Sequence, residues 1–315
     1  MARQYCGQLG KQDNCQVAVS LSIANDHASL PIAYRLYLPR EWAADANGRT
    51  QAGVPEDVVF QTKSQIALDQ LRAALSAGSK AEVVLADAGY GTDTDFRDNI
   101  SEMGLPYVLG IQSSTSLWPP GQEPLPPKQW SGRGRPTSAV RRAAQNQPVS
   151  AKQIARDLPK KAWRRVIWRE GSNTELASRF AAVRVRPAHR DYHRATPRPE
   201  EWCLIEWPAD EPEPTKYWLS TLPATITRRA LVNAAKLRWR IERDYQDLKQ
   251  ELGLGHYEGR GWRGFHHRAT LCIAAYGFLI SEREAIPPSG QRDAVLIEEP
   301  GLPDGYRPRG SPDPT

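Results

Sequence analysis

The chain has 315 residues, a formal net charge of +6 and an isoelectric point near 9.2, so it can bury a large core and is biased toward polyanionic partners. No apolar run approaches the ~18–20 residues that span a bilayer, and no signal-peptide pattern opens the chain, so no membrane role is expected. Cys6, Cys15, Cys203 and Cys272 form no C-x-x-C pair, which argues against a zinc site or a disulfide framework and fits a reducing cytoplasm.

Residues 11–14 read as a turn, followed by an alternating strand over 16–23 and its hairpin partner over 30–38. The charged stretch 39–55, with Gly and Pro, reads as a loop. Ile66, Leu68, Leu71 and Leu75 give 65–75 a helical spacing. A short β-rich apolar run then ends on Asp87, with Gly89 and Gly91 behind it. Carboxylates at the carboxyl ends of sheet strands face the crevice where ligands bind in open α/β sheets. Asp87 is equally suited to cap a helix beginning near Thr92 or Asp93. A helix over 95–103 and a strand over 107–111 complete a β-β-α-β-α-β order.

From about 112 to 216 the composition changes. Pro119, Pro120, Pro124, Pro126 and Pro127 mark an irregular loop. Basic residues follow with few acids among them, Arg133, Arg135, Arg164 and Arg165 included, and strands are expected over 162–168, 179–185 and 201–207. Trp118, Trp130, Trp163 and Trp168 interleave with the cations, which suits phosphate contact plus base stacking, although core packing is the ordinary role of any one of them. Gly132-Arg133-Gly134-Arg135-Pro136 has the form of a minor-groove hook, or of a flexible basic loop. His189 and His193 are four apart, but Pro187 and Pro197 flank them, so a helical metal site is not expected.

Residues 230–252 contain no Gly or Pro and read as one long helix. At ~100° per residue, Arg238, Glu242, Tyr245 and Lys249 share a stripe roughly 60° wide. Beside it runs an apolar stripe of Ala234, Leu237, Ile241, Leu248 and Leu252 that should face a core. A carboxylate between two cations suits a divalent ion and a gripped phosphate strand. It also suits a solvated face with i,i+4 pairs worth a few tenths of a kcal/mol. A further helix is expected over 268–280, packed under the sheet, and a Pro-rich disordered tail over 286–315.

Together, Asp87-Ala88-Gly89-Tyr90 and the Arg238, Glu242, Lys249 spacing resemble the bacterial insertion-sequence transposases of the DDE type whose third acid lies in a Y-R-E-K signature. Ala235 stands where that signature has Tyr. Trp239-Arg240-Ile241-Glu242 and Trp262-Arg263-Gly264-Phe265-His266-His267 add to the likeness, which extends to about Ser281.

The resemblance implies an α/β, RNase H-like mixed sheet with helices on both faces, interrupted by a mostly β insertion. Its halves would lie at 1–111 and 217–285, with the insertion at 112–216. It implies three carboxylates holding two Mg²⁺ (or Mn²⁺) ions for in-line phosphoryl transfer on DNA. Asp87 would be the second acid and Glu242 the third. Arg238 and Lys249 would contact phosphates, and Tyr245, Arg133, Arg135, Arg164 and Arg165 are further candidates for DNA contact. The partners would be terminal-repeat and target DNA and further copies in a synaptic complex, in a bacterial cytoplasm at the nucleoid.

The first acid belongs on a central first strand, and no apolar strand ending in Asp precedes residue 16; Asp13 sits among turn residues. The expectation is therefore a fragment without its first strand and first aspartate, catalytically incomplete. Two other readings stand beside it: a DNA-binding fragment that occupies transposon ends, and another RNase H-like nuclease with an unrecognised third acid.

Overall fold

The computed structural model describes residues 2–6, 9–25, 27–134, 138–170 and 175–285, so Arg135 and the 286–315 tail lie outside the described residues. Its chain begins with a hairpin of β1 (Ala2–Cys6) and β2 (Lys11–Cys15). The expected turn at 11–14 is strand: Asp13 pairs opposite Gln4, with its carboxylate 3.4 Å from the Lys11 ammonium. The reversal comes earlier, at Gly10, whose φ of 63° is open to glycine without strain.

β3 (Ala18–Ala24) and β4 (Ser29–Leu36) form the expected second hairpin, as a separate two-stranded sheet. The stretch read as a loop carries two short helices, α1 (Arg40–Ala44) and α2 (Ala46–Ala52). Local capping explains the difference. Asp45 accepts from Gly48 N at 3.0 Å, and Gly53 closes the helix in the left-handed region. α3 (Lys63–Ser76) starts on a reciprocal capping box between Thr62 and Gln65 and buries Ile66, Leu68 and Leu71.

β5 (Val84–Ala86), α4 (Ala88–Gly91), α5 (Thr94–Glu102) and β6 (Tyr107–Ile111) follow. Next come β7 (Ser116–Trp118), β8 (Val149–Ser150), α6 (Ala151–Asp157), β9 (Arg164–Glu170), β10 (Glu175–Pro187), β11 (Glu201–Trp207) and β12 (Lys216–Ser220). Among the described residues they build one mixed sheet in the order β5-β6-β12-β11-β10-β7-β8, with β9 also paired to β10. β5 and β6 are parallel, and the other pairings are antiparallel. The region from 112 to 216 therefore continues the sheet begun by β5 and β6.

Strand alternation divides the core. Tyr107, Leu109, Ile111, Cys203, Ile205, Tyr217 and Leu219 pack on one face with residues of α3, α5 and α6. Val108, Phe180, Leu204 and Trp218 pack on the other with Leu231, Val232 and Ala235. Each fully buried Leu among them contributes ~2 kcal/mol of transfer free energy.

The expected single helix is two, α7 (Arg228–Leu237) and α8 (Trp239–Gln250), divided at Arg238. No Gly or Pro breaks it; packing does. α7 lies against the large sheet, whereas α8 lies against β4 and the last helix, α9 (Trp262–Ala285). The backbone crosses between the two supports at Arg238, where Ile241 N closes a tight turn on the Arg238 carbonyl. α9 is longer than the expected 268–280, and it packs on β4 and α8, not under the large sheet.

His266 fastens α9 to β4. Leu36 N–H donates to its Nε2 at 3.3 Å, and its Nδ1 lies 2.9 Å from the Trp262 carbonyl. Only a neutral ring with its proton on Nδ1 satisfies both contacts. Burial holds the His266 pKa below the ordinary 6.5, opposed by the Trp262 hydrogen bond and helped by Arg35. The unfolded chain then takes up a proton before the folded one does. Stability is full above about 6.5 and is lost as pH falls toward the depressed folded value. Thermal melts over this range should show the loss, and His266→Gln, which keeps an acceptor near Nε2, should flatten it. His189 is depressed by burial too and adds the same sign, so the difference between the two proteins isolates His266.

Candidate active site

Asp87 follows the carboxyl end of β5 and caps α4, accepting from Gly89 N at 2.8 Å. Asp87 comes directly after the strand and caps the short α4, whereas the helix expected near Thr92 or Asp93 is α5, capped by Asp93. Two glycines make the placement possible. A Cβ at Gly91 would sit 2.0 Å from the Gly110 carbonyl oxygen of β6, and one at Gly110 would sit 2.9 Å from Ala88 N. Their absence lets α4 lie against β6 and fixes the direction in which Asp87 leaves the sheet. Arg97, buried on α5, donates to the Gly91 carbonyl and to Thr94 Oγ1, holding the other end of that turn.

Asp87 and Glu242, distant in sequence, line one cleft of about 670 Å³. Its floor comes from Ala86, Gly110 and Ile111 at the ends of the parallel strands and from Lys216–Trp218 of β12. The α7–α8 junction forms a second wall with Lys236, Arg238, Trp239 and Arg243, and Trp168 and Leu176 form a third. Both acids are exposed, Glu242 at 65% of its side chain. Glu242 forms an ion pair with Arg238 one turn earlier, the i,i+4 contact that an ordinary charged face would also make.

The remaining expected residues are dispersed. Lys249 is exposed farther along α8, outside the cleft lining. Tyr245 does not share the exposed stripe: it is half-buried, with its ring stacked on Tyr34 at 6.3 Å, and burial raises its pKa. Arg133, Arg164 and Arg165 are exposed on the loop and on β9, outside the cleft lining. Trp118 and Trp163 are core residues, Trp130 is exposed, and Trp168 meets Phe180 edge-on at 5.7 Å within the cleft wall. His189 Nδ1 pairs with Thr94 Oγ1 at 2.8 Å.

Sequence reasoning missed an ion pair in the cleft wall, with its carboxylate buried. Lys236 on α7 reaches both carboxylate oxygens of Glu206 on β11 at 2.6 Å, and its ammonium lies 4.2 Å from the Trp168 ring centroid. Burial keeps its pKa below the ordinary lysine value despite Glu206. The available signal was an acid inside the apolar strand Cys203-Leu204-Ile205-Glu206-Trp207, which needs a cation from elsewhere. Asp244 was missed as well. It is 3% exposed and accepts at one oxygen from Ser29 Oγ at 2.7 Å and Tyr276 Oη at 3.0 Å.

The donor chemistry of Asp87 and Glu242, hard carboxylate oxygens in an open cleft, fits Mg²⁺ or Mn²⁺ that retains part of its water shell. Among the described residues no set of three His, Cys, Asp or Glu side chains converges as metal ligands. No described helix is long and apolar enough to cross a membrane.

An acid following a parallel strand and a second acid on a helix thus line one cleft with Lys236, Arg238 and Arg243. Residues 1–175 match the family model described as DDE superfamily endonuclease, and the chain belongs to that family. Over 113 residues it is 35% identical to the probable transposase for insertion sequence element IS701 of Microchaete diplosiphon, a match covering 36% of this chain and 27% of that protein. The chain therefore spans about a quarter of the length of that relative. Asp87 lies inside the family match and Glu242 beyond it.

Proposed function

We propose that this chain is a DNA transposase of the DDE type, in which Asp87 and Glu242 are two of three acids acting on insertion-sequence ends. The observation that carries this reading is the single cleft they share. In it, the two carboxylates would hold a divalent cation, and Arg238, paired with Glu242, would contact a phosphate beside it. The bound cation would supply charge neutralisation and an activated oxygen for in-line displacement. Lys249, with Arg133, Arg164 and Arg165 farther out, supplies non-specific grip on the DNA backbone.

Within the same reading the fold is RNase H-like, with core halves at 1–111 and 217–285 and the insertion at 112–216. Among the described residues no third carboxylate joins Asp87 and Glu242, so in this reading cleavage is not expected of this chain by itself. The second reading, a DNA-holding fragment that interferes with intact copies, is favoured by the Arg238–Glu242 pair, which satisfies Glu242 without metal.

Duplex binding tests the DNA contact that both readings share, and nicking tests whether the site is incomplete. The purified chain should bind duplex DNA with a steep salt dependence, and Arg238→Ala and Lys249→Ala should each lower the salt slope by about one unit. No nicking is expected with Mn²⁺. Nicking abolished by Asp87→Asn would show that a third ligand is present after all. Salt-insensitive binding that neither substitution changes would refute the DNA reading.

A further inference from the structure

α9 is anchored by one face only. Phe265, Ala269 and Cys272 are buried, and Tyr276 reaches Asp244 of α8. The opposite face is exposed and carries His267, Leu271, Ala274, Ala275, Phe278 and Glu282, with Leu271 55% and Phe278 63% exposed. At ~100° per residue these six fall within a stripe roughly 100° wide. A soluble surface rarely leaves apolar side chains ranked along one helix face without a partner.

Their order is symmetric about the midpoint between Ala274 and Ala275. Reversing the helix about that point exchanges Ala274 with Ala275, Leu271 with Phe278, and His267 with Glu282. Two copies laid antiparallel therefore meet with small residues at the dyad, which allows close approach, and with Leu271 against Phe278 on either side. At each end a basic-capable His267 faces an acidic Glu282. A two-fold contact requires a self-complementary patch of this kind, and the charges oppose the parallel alternative, which would place Glu282 beside Glu282.

We propose that this face of α9 pairs with the same face of a second copy of the chain, in an antiparallel two-fold contact. The proposal stands on the α9 surface alone and is independent of the cleft chemistry.

Light scattering on the size-exclusion-purified chain, across a concentration series, tests it. The unmodified chain should show a monomer–dimer equilibrium. Phe278→Glu, an exposed substitution, should weaken self-association about tenfold or more while circular dichroism and melting temperature stay unchanged. Glu282→Lys should weaken it less, and the exchange His267→Glu with Glu282→Lys should restore it, a readout that does not depend on Phe278→Glu folding. A chain that stays monomeric throughout, as when another segment or another protein covers this face, overturns the proposal. So does a dimer that persists unchanged in both Phe278→Glu and Glu282→Lys.

Discussion

Lys236→Met lowers the stability of the folded chain by about 3–5 kcal/mol, because it leaves the Glu206 carboxylate buried without its counter-ion. Glu206 is 3% exposed, and the ammonium that neutralises it sits among the rings of Trp168, Phe180 and Trp218. Lys236→Met combined with Glu206→Gln should recover most of the loss, since the double variant buries no net charge. Urea denaturation of the four proteins in the cycle measures the coupling. Additive effects would mean that the two groups do not depend on each other, contrary to their 2.6 Å contacts. The pair joins α7 to β11, so its loss also loosens the wall that carries Arg238 and Glu242.

Asp244→Ala costs about 2–3 kcal/mol, since two hydroxyl donors lose a charged acceptor inside the protein. Ser29 lies at the start of β4 and Tyr276 on α9, so this one carboxylate ties α8 to both of its supports. The Tyr276 pKa is raised, first by burial and then by the Asp244 contact. Asp244→Asn keeps an acceptor and should cost less, and Ser29→Ala should cost about 1 kcal/mol. Guanidinium melts provide the values. An Asp244→Ala protein as stable as its parent would mean that α8 is held by Leu248 packing and not by this carboxylate.

The sequence was most legible where period and capping agree. β11 falls on the expected 201–207, α3 and α5 lie within a residue or two of expectation, and β5 stops at Ala86, one residue before Asp87. It was least legible where long-range packing overrides local pattern. The break at Arg238 arises because α7 and α8 rest on different sheets, and nothing within 230–252 encodes that. Tyr245 is half-buried because α8 packs on β4, which carries Tyr34, a long-range contact that the helical spacing does not show. Lys236 and Glu206 look like separate surface charges until β11 and α7 are brought together. At the site, both acids were legible as motif residues, but their common cleft was not. The roles of Gly91 and Gly110 were hidden because each is needed only for the close approach of α4 and the Asp87 backbone to β6.

The central claim is that Asp87 and Glu242 act together on a divalent cation, and Mn²⁺ titration followed by electron paramagnetic resonance tests it without requiring activity. The account predicts that the chain binds Mn²⁺, and that Asp87→Asn and Glu242→Gln each weaken binding by about tenfold or more, with no change in melting temperature. Equal Mn²⁺ affinity in all three proteins, or a loss from only one of the two substitutions, would contradict it.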